Sequence, residues 1–131
     1  MEEDLVARLL AAAGLSALVG NRINWLDRPQ ADALPSVTLQ DISAGRSYTY
    51  SGASGTTSPR IQIDSWGASY ASAKAVSRAV IAALEPSATV GGTRFSASFL
   101  DGGGGASSED VDGGTKIYRV SQDWIIWNNP I

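Results

Sequence analysis

Apolar residues recur at helical spacing near the start of the chain. Within residues 2–13 they stand at i, i+4 and i+7, as Leu5, Leu9 and Ala12, which is typical of a helix with one buried face. Acidic residues fill its first turn, where negative charge stabilises the helix dipole. Gly14 suits the C-terminal end of this helix, and the apolar residues after it predict a turn or a short second helical piece before Gly20.

A longer helix is predicted from Ser69 to Glu85. Ser69 suits the N-cap position and Pro86 ends the helix. Its apolar residues form one stripe, made of Ala73, Val76, Val80, Ala83 and Leu84.

Alternation of apolar and polar residues predicts five strands. They cover Ser36–Ser43, Arg46–Tyr50, Pro59–Trp66, Thr93–Leu100 and Thr115–Trp127. We expect the second strand to pair with the first as a hairpin across residues 44–45. The last strand is the longest and carries apolar residues on both faces near its end, so part of it is expected to be buried on both sides.

Two segments between these elements lack apolar anchors. Residues 51–58 are small and polar, and residues 101–114 (DGGGGASSEDVDGG) are glycine-rich and acidic. Turn-forming residues in such clusters predict mobile loops. Long loops in compact domains are usually functional or disordered, and we expect residues 101–114 to be one of the two.

The predicted order is α-β-β-β-α-β-β over a single domain, residues 1–131, which the length of the chain favours. This order indicates an α+β fold, with a mostly antiparallel sheet of about four to five strands and two helices packed on one face. The other face of the sheet would then need a partner.

The composition argues against several kinds of binding and catalysis. The chain carries 10 Lys+Arg and 13 Asp+Glu, a net charge of −3, without a basic run that would grip DNA phosphates or an anionic membrane. It has no cysteine and no histidine, which removes disulfides, thiolate chemistry, and the commonest general base and zinc ligand. The N-terminal apolar run opens with acids, and no apolar stretch reaches the length of a membrane span, so a soluble, unexported protein is expected.

Three chemical motifs are incomplete. The glycine run Gly102–Gly105 lacks the lysine of a phosphate loop. Residues 110–113 (DVDG) resemble part of a calcium loop, but Arg119 stands where the bidentate glutamate belongs. The remaining possibility is a pair of acids that hydrolyses glycosides, drawn from Asp41, Asp64 and Asp123. We expect Asp64 and Asp123 to pair instead with arginines on neighbouring strands, for instance Arg60 or Arg119.

Aromatic residues leave two readings open. Trp25, Trp66, Trp124 and Trp127, with Tyr48 and Tyr50, could form a carbohydrate-stacking platform. The same residue types anchor protein interfaces. We expect Trp124 to lie in the core and Trp127 at a boundary or an interface.

Four phrases in order carry a family resemblance. They are VGNRI (19–23), ALPSV (33–37) at the end of an arm with Pro29 and Pro35, IQIDSW (61–66) and YRVSQDW (118–124). In this order and spacing the chain resembles the tail-completion or tail-terminator family of long-tailed, siphovirus-like phages and related gene-transfer particles. The glycine-rich segment from Asp101 is longer than is typical of that family.

The resemblance implies a structural virion protein without catalytic activity or cofactor. Such proteins form a ring, typically a hexamer, at the head-proximal end of the tail tube. The implied partners are further copies of the chain, the tail-tube protein and a head-side connector or stopper protein, while DNA passes through the lumen without specific binding. No membrane partner is implied.

We expect three regions to supply the contacts. Their residues are Arg46, Tyr48 and Tyr50 in the second strand, Asp101, Gly103, Glu109, Asp110 and Asp112 in the glycine-rich segment, and Trp127. A head-completion adaptor or stopper of the neck is the nearest alternative. A small carbohydrate-binding module would use the tryptophans and tyrosines as a monomer, and an enzyme would need a titratable pair in a pocket.

Overall fold

In a computed structural model the chain folds into three helices and a curled, mixed sheet of eight strands over its described residues, 2–26, 34–43, 46–49, 52–111 and 115–130. The elements in chain order are α1 (Glu2–Ala11), α2 (Ala13–Val19), β1 (Ile23–Trp25), β2 (Ser36–Ser43), β3 (Arg46–Thr49), β4 (Gly52–Thr57), β5 (Arg60–Gly67), α3 (Tyr70–Leu84), β6 (Ala88–Val90), β7 (Thr93–Val111) and β8 (Thr115–Pro130). Within the described part of the chain, no helix has both the length and the apolar character needed to cross a membrane.

Strand β8 is the centre of the sheet because both of its edges are paired. One edge pairs with β5 and the other with β7, both antiparallel. Strand β5 pairs in turn with β2, and β2 pairs in parallel with β1. The order across the sheet is therefore β1-β2-β5-β8-β7. Strand β4 pairs with the edge of β8 that also carries β5, beyond the end of β5. Strand β3 pairs with β4.

The helices cover one face of this sheet, which we call the inner face. Alternation along β5 and β8 sends every second side chain toward the helices, where the apolar stripes of α1, α2 and α3 meet them. Trp124 lies fully buried there, which confirms its predicted core position. The largest core residues are Trp124, Phe95, Leu5, Leu9, Leu15, Leu39, Ile61, Ile63, Leu84 and Ile126.

Arg8 of α1 is buried and joins α1 to the end of α3. Its guanidinium donates hydrogen bonds to the carbonyl oxygen of Leu84, at 3.1 Å, and to that of Pro86. It also lies 5.2 Å above the ring of Phe95. Burial lowers the pKa of Arg8. A cation placed on the last carbonyls of a helix satisfies orphan acceptors and complements the helix dipole.

Helix α3 confirms its prediction closely. Ser69 is its N-cap, and the Ser69 hydroxyl accepts a hydrogen bond from the backbone N–H of Ser72 at 3.1 Å. Strand β5 reaches this helix with almost no space between the two backbones, since a Cβ on Gly67 would stand 2.6 Å from the backbone nitrogen of Ala73. Glycine at position 67 therefore permits the tight passage from β5 into α3.

The N-terminal helical prediction needs one correction. The chain forms two helices, separated at Ala12, whose backbone is extended and whose carbonyl starts α2. Gly14 lies inside α2 and does not end a helix, whereas Gly20, with φ of 60°, stands after the end of α2. The break lets Leu15 and Val19 turn toward the core already occupied by α1.

The α+β class is confirmed, but the predicted four to five strands and two helices are too few. Strands β1 and β6 are three residues long, too short to show a period in the sequence. Strand β3 does not pair with β2 as predicted. The edge of β2 that faces β5 is paired as far as Ser43, and β3 pairs with β4 instead.

Two predicted loops form strands. Residues 52–57 are β4, and residues 101–111 extend β7 along β8. A ladder uses backbone N–H and C=O groups, so a glycine-rich segment can complete it despite the entropy cost of each glycine. That these two segments are mobile stays a prediction.

Candidate assembly interface

The sheet face opposite the helices, here called the outer face, carries the candidate site. Its middle is a polar network around Asp64 of β5. The Asp64 carboxylate accepts hydrogen bonds from Ser121 Oγ at 2.6 Å and from Gln62 Nε2 at 3.1 Å, and lies 3.9 Å from the Arg119 guanidinium. The predicted pairing of Asp64 with an arginine on a neighbouring strand is confirmed, and the contacts assign Asp64 to cross-strand support.

Arg119 and Trp66 continue this network toward β2. The Arg119 guanidinium lies 5.4 Å from the Trp66 ring centroid, within the range of a cation–π contact. The Trp66 indole N–H donates to Thr38 Oγ1 at 2.9 Å. The strands β2, β5 and β8 are thereby linked on the outer face by polar groups whose partners lie within the same molecule.

A second cluster links β5, β7 and β8 around Arg60. Its guanidinium donates to the Asp101 carboxylate at 2.5 Å, to the Asp101 carbonyl oxygen at 2.9 Å and to the Asp123 carboxylate at 3.4 Å. The hydrogen bond to Asp101 is the main cause that raises the pKa of Arg60. The predicted partnership of Asp123 with an arginine is confirmed. Asp101 gains a defined position at the point where Gly102, with φ of 102°, bends β7 into a bulge.

An exposed apolar surface lies beside this cluster. We call it the aromatic patch, and it consists of Ala97 and Phe99 on β7 with Ile125 and Trp127 on β8. Phe99 is 56% exposed and stands opposite Ile125, while Trp127 is 39% exposed and stands opposite Ala97. Phe99 and Trp127 are therefore diagonal neighbours across the two strands. Large apolar side chains exposed together on a sheet are typical of a protein interface.

The outer edge of β7 is open next to the aromatic patch. Strand β6 covers only Thr93–Phe95 of this edge, and no other described strand pairs with it as far as Val111. An edge of this length presents backbone donors and acceptors that a further strand can use. The bulges after Leu100 and at Gly103 interrupt the edge but do not end it.

A groove lies at the opposite edge of the sheet. We call it the corner groove. It has a volume of about 400 Å³ and is lined by Glu2, Trp25, Leu26, Gln40 and Asp41.

Two exposed apolar residues mark this corner. Leu26 is 69% exposed and its φ of 65° lies in the left-handed region, which a residue with a bulky side chain rarely adopts. The N–H of Leu26 donates to the Leu39 carbonyl oxygen at 2.7 Å, which fixes this backbone. Ile42, 48% exposed, stands on β2 at the register shift between Asp41 and Ser43.

The structure separates the predicted contact residues into two groups. Arg46 pairs with Thr57 and Thr57 with Asn128, so the backbone of β3 lies two strands from Trp127. Asp101 also belongs to this end of β7. Glu109 and Asp110 stand opposite Ile117 and Lys116, at the other end of the long β7–β8 pair, roughly 33–36 Å from Trp127 along the strand.

The other predicted contact residues lie between these groups or outside the described chain. Gly103 stands midway, opposite Gln122, and Tyr48 stands opposite Ala53. Tyr50 and Asp112 lie outside the described residues, as does Pro29 of the arm. One site cannot contain both groups, so the predicted contacts would have to fall in two separate regions.

Phe99, Leu26 and Ile42 were not among the predicted contact residues. The sequence places Phe95, Ala97 and Phe99 in alternation, as if on one face. The structure has a register shift between Phe95 and Ala97, so Phe95 is buried among the core residues while Ala97 and Phe99 face outward. No residue type marks that shift in the sequence. The left-handed backbone of Leu26 has no sequence signal either.

Metal binding finds no support in the described ranges, which hold no cluster of three or more acidic side chains placed around a common point. Asp112 and Gly113 of the calcium-loop resemblance lie outside them.

Comparison with known proteins gives one family match. The family model described as tail completion protein gp17 matches residues 3–127. No curated protein matches the sequence.

Solved structures share the fold. One chain from the virion of a native gene transfer agent particle is 22% identical with a TM-score of 0.69, and the match covers 98% of this chain and 94% of that chain. A second solved chain, of a protein without a stated function, is 12% identical with a TM-score of 0.50, over 96% of this chain and 95% of the other. At these identities the likeness concerns the fold alone.

Proposed function

Because the chain belongs to the tail completion protein gp17 family, we propose that it forms a ring at the head-proximal end of the tail tube, where it ends the tube and joins it to the head-side connector. Membership makes the chain a structural tail protein of a phage-like virion. The ring, its expected six subunits and its position on the tube are the proposal.

The observation that carries this proposal is the aromatic patch beside the open edge of β7. Both are surfaces that another protein chain can cover, one by apolar contact and the other by backbone hydrogen bonds. An interface with an aromatic centre and a polar surround is typical of stable protein contacts. The ion pair of Arg60 with Asp101 and Asp123 supplies that surround.

Two contact regions fit a joining protein, which must hold its own copies and also meet different proteins above and below. We assign the contacts between subunits to the region of Trp127, Phe99 and Asp101. Contacts with the tail-tube and connector proteins are assigned to Glu109 and Asp110 at the far end of β7 and to Arg46 and Tyr48 on β3. The predicted contact residues Asp112 and Tyr50 lie outside the described chain and stay predictions from the sequence. The pair formed by β7 and β8 extends beyond the end of β5. It continues for three residues of β8 past the last β5 pair, Gly67 with Tyr118, which is about 10 Å.

The charge of the chain suits the passage of DNA through such a ring without specific binding. The net charge is −3, and the acidic residues near the hairpin end would repel phosphate groups. We propose accordingly that the protein acts by contact alone, with no catalytic step and no cofactor.

Electron microscopy of particles tests this function. A producer in which this gene is deleted is expected to make heads and separate tails of irregular length, and supply of the intact protein should restore joined particles. Joined particles of normal tail length without the protein would contradict the proposal. Supply of a variant with Glu109→Lys and Asp110→Lys is expected to leave heads and tails apart, because the reversed charges change the proposed contact at the far end of β7, more than 30 Å along the strands from the aromatic patch.

A further inference from the structure

We propose that Asp101 and Gly102 on β7 form a site where the main chain rearranges to isoaspartate, and that Arg60 controls the rate of this reaction. Asp101 and Asp112 are the aspartates of the chain that a glycine follows. Of these, Asp101 lies in the described part of the chain, with its side chain 54% exposed. Glycine carries no side chain that would hinder attack of its backbone nitrogen on the preceding carboxyl group.

The bulge in β7 places the attacking nitrogen outside the regular ladder. Asp101 and Gly102 together oppose the single residue Asp123 of β8, within a register shift. Gly102 is exposed, and its φ of 102° lies in a region that glycine adopts without strain. Strand β6 covers the outer edge of β7 only at Thr93–Phe95. Gly102 can therefore move toward the carboxyl group with less loss of sheet pairing than a residue in register.

The reaction is an intramolecular condensation followed by hydrolysis. The backbone nitrogen of Gly102 bonds to Cγ of Asp101, and the bond from Cγ to one carboxylate oxygen breaks. That oxygen leaves as water, with the amide proton and a further proton from the solvent. The product is a succinimide ring, and water then adds to either of its carbonyl carbons. Addition at the former main-chain carbonyl gives isoaspartate, whereas addition at Cγ restores aspartate.

Arg60 holds both groups of Asp101 that must move in this reaction. Its guanidinium donates to Asp101 Oδ2 at 2.5 Å and to the Asp101 carbonyl oxygen at 2.9 Å. Ring closure rotates the carboxyl group toward Gly102, and the ring carries no negative charge for the guanidinium to pair with. The condensation must therefore break or weaken the bonds from Arg60, which slows it. Asp123, at 3.4 Å from the same guanidinium, helps to hold Arg60 in position.

Isoaspartate at position 101 would change the bulge itself. The main chain gains a carbon atom before Gly102, because it then runs through Cβ and Cγ of residue 101. The carbonyl oxygen that accepts from Arg60 becomes part of a free carboxylate. Because β7 pairs with β8 on both sides of the bulge, the added length disturbs the pairing of the neighbouring residues. The backbone amides of residues 99–103 should therefore exchange hydrogen faster in the isomerised chain.

Peptide mapping of the stored protein tests the site. Trypsin releases residues 95–116 as one peptide, because Arg94 and Lys116 bound a stretch without other lysine or arginine. Electron-transfer fragmentation then assigns isoaspartate to residue 101 or to residue 112 within this peptide. Replacement of Arg60 leaves the peptide unchanged, so the variants and the wild type are compared on the same fragment.

The informative variant is Arg60→Met. During incubation in mildly acidic buffer, isoaspartate at residue 101 should form about two- to fivefold faster than in the wild type, the effect expected of an exposed ion pair. The rate at residue 112 should be the same in both proteins. In concentrated urea the rates at residue 101 should also become equal, because the bonds from Arg60 exist only in the folded chain.

Two further variants serve as controls. Arg78→Met removes an exposed arginine from α3 and should leave both rates unchanged. Arg60→Lys keeps a positive charge but lacks the planar fork that holds two oxygens at once. Its rate at residue 101 should lie between those of the wild type and Arg60→Met.

Asp101→Asn gives a second measure of ring closure. Asparagine loses its amide nitrogen as ammonia through the same ring, and hydrolysis leaves aspartate and isoaspartate, which differ from asparagine in mass. A folded Asp101→Asn protein that keeps its asparagine throughout the incubation would overturn the site. Equal rates at residue 101 in the wild type and Arg60→Met would overturn the role of Arg60. Equal acceleration at residues 101 and 112 would do the same, since it would indicate a general loosening of the fold.

Discussion

Arg60 on β5 reaches across β8 and donates a hydrogen bond to the carboxylate of Asp101 on β7, at 2.5 Å. The contact holds β7 against the sheet at the point where the bulge at Gly102 begins. Asp101 therefore fixes the strand that carries Phe99. Stabilisation of the aromatic patch, rather than of the whole fold, is the expected role of this ion pair.

Replacement of Asp101 by Asn tests that role. We expect little change in the thermal midpoint, because exposed ion pairs contribute little to stability. Backbone amides of residues 99–103 should exchange hydrogen faster, because the charged link from Arg60 to β7 is weakened to bonds with neutral oxygens, the side-chain amide oxygen and the backbone carbonyl of residue 101. Hydrogen-exchange mass spectrometry measures this. Ser107→Ala, farther along β7 and exposed, is the control, and an equal effect of both variants would refute the role of Asp101.

Replacement of Arg8 by Met should destabilise the protein by about 1.5–3 kcal/mol, the range for hydrogen bonds from a charged group. Met keeps much of the length and apolar contact with Phe95, but leaves the carbonyl oxygens of Leu84 and Pro86 without their donor. Urea unfolding followed by tryptophan fluorescence gives the free energy of unfolding. Arg78→Met, exposed on α3, should stay within about 0.5 kcal/mol of the wild type.

Substitution of Gly67 by Ala should cost about 1–3 kcal/mol, the usual effect of overpacking. The new Cβ would stand 2.6 Å from the backbone nitrogen of Ala73, which cannot move without displacing the start of α3.

The matched control for Gly67 is Gly14→Ala, because no atom lies within 4 Å of a Cβ at that position. Gly14 belongs to α2, so this change should stabilise the protein by about 0.5–1 kcal/mol. A loss of stability at Gly14→Ala would instead favour a helix that ends at this glycine.

The two tryptophans near the end of β8 should respond in opposite ways. Trp124→Ala removes a fully buried ring and should cost about 3–5 kcal/mol. Trp127→Ala should cost less than Trp124→Ala, because Trp127 is 39% exposed, but it should reduce assembly. Unfolding curves and the mass in solution measure the two effects separately. Equal loss of stability in both variants would place Trp127 in the core.

Sequence patterns predicted the elements that have strong periods. Helix α3 with its Ser69 cap and the buried alternation of Ile61 and Ile63 follow from apolar spacing. Strand β2 was also predicted, although its alternation is weak and its burial does not alternate. The pairing of Asp64 and Asp123 with arginines followed from their positions on strands. The family resemblance read from four short phrases is confirmed by the family match over residues 3–127.

The missing parts depend on contacts that no local pattern records. A strand made of glycine, serine and acids forms in β7 because β8 supplies hydrogen bonds to its backbone. The outward position of Phe99 depends on one register shift after Phe95, and a shift of one residue moves every later side chain to the other face. The pairing of β3 with β4, rather than with β2, depends on which strands meet in the folded sheet.

The mass of the purified protein in solution, measured by light scattering over a range of concentrations and again with purified tail tubes, tests the central claim most directly. The ring predicts a discrete species near six times the 13.6 kDa of one chain, formed in solution or on the tubes. A protein that stays monomeric at every concentration and binds tubes as single chains, or not at all, would contradict it.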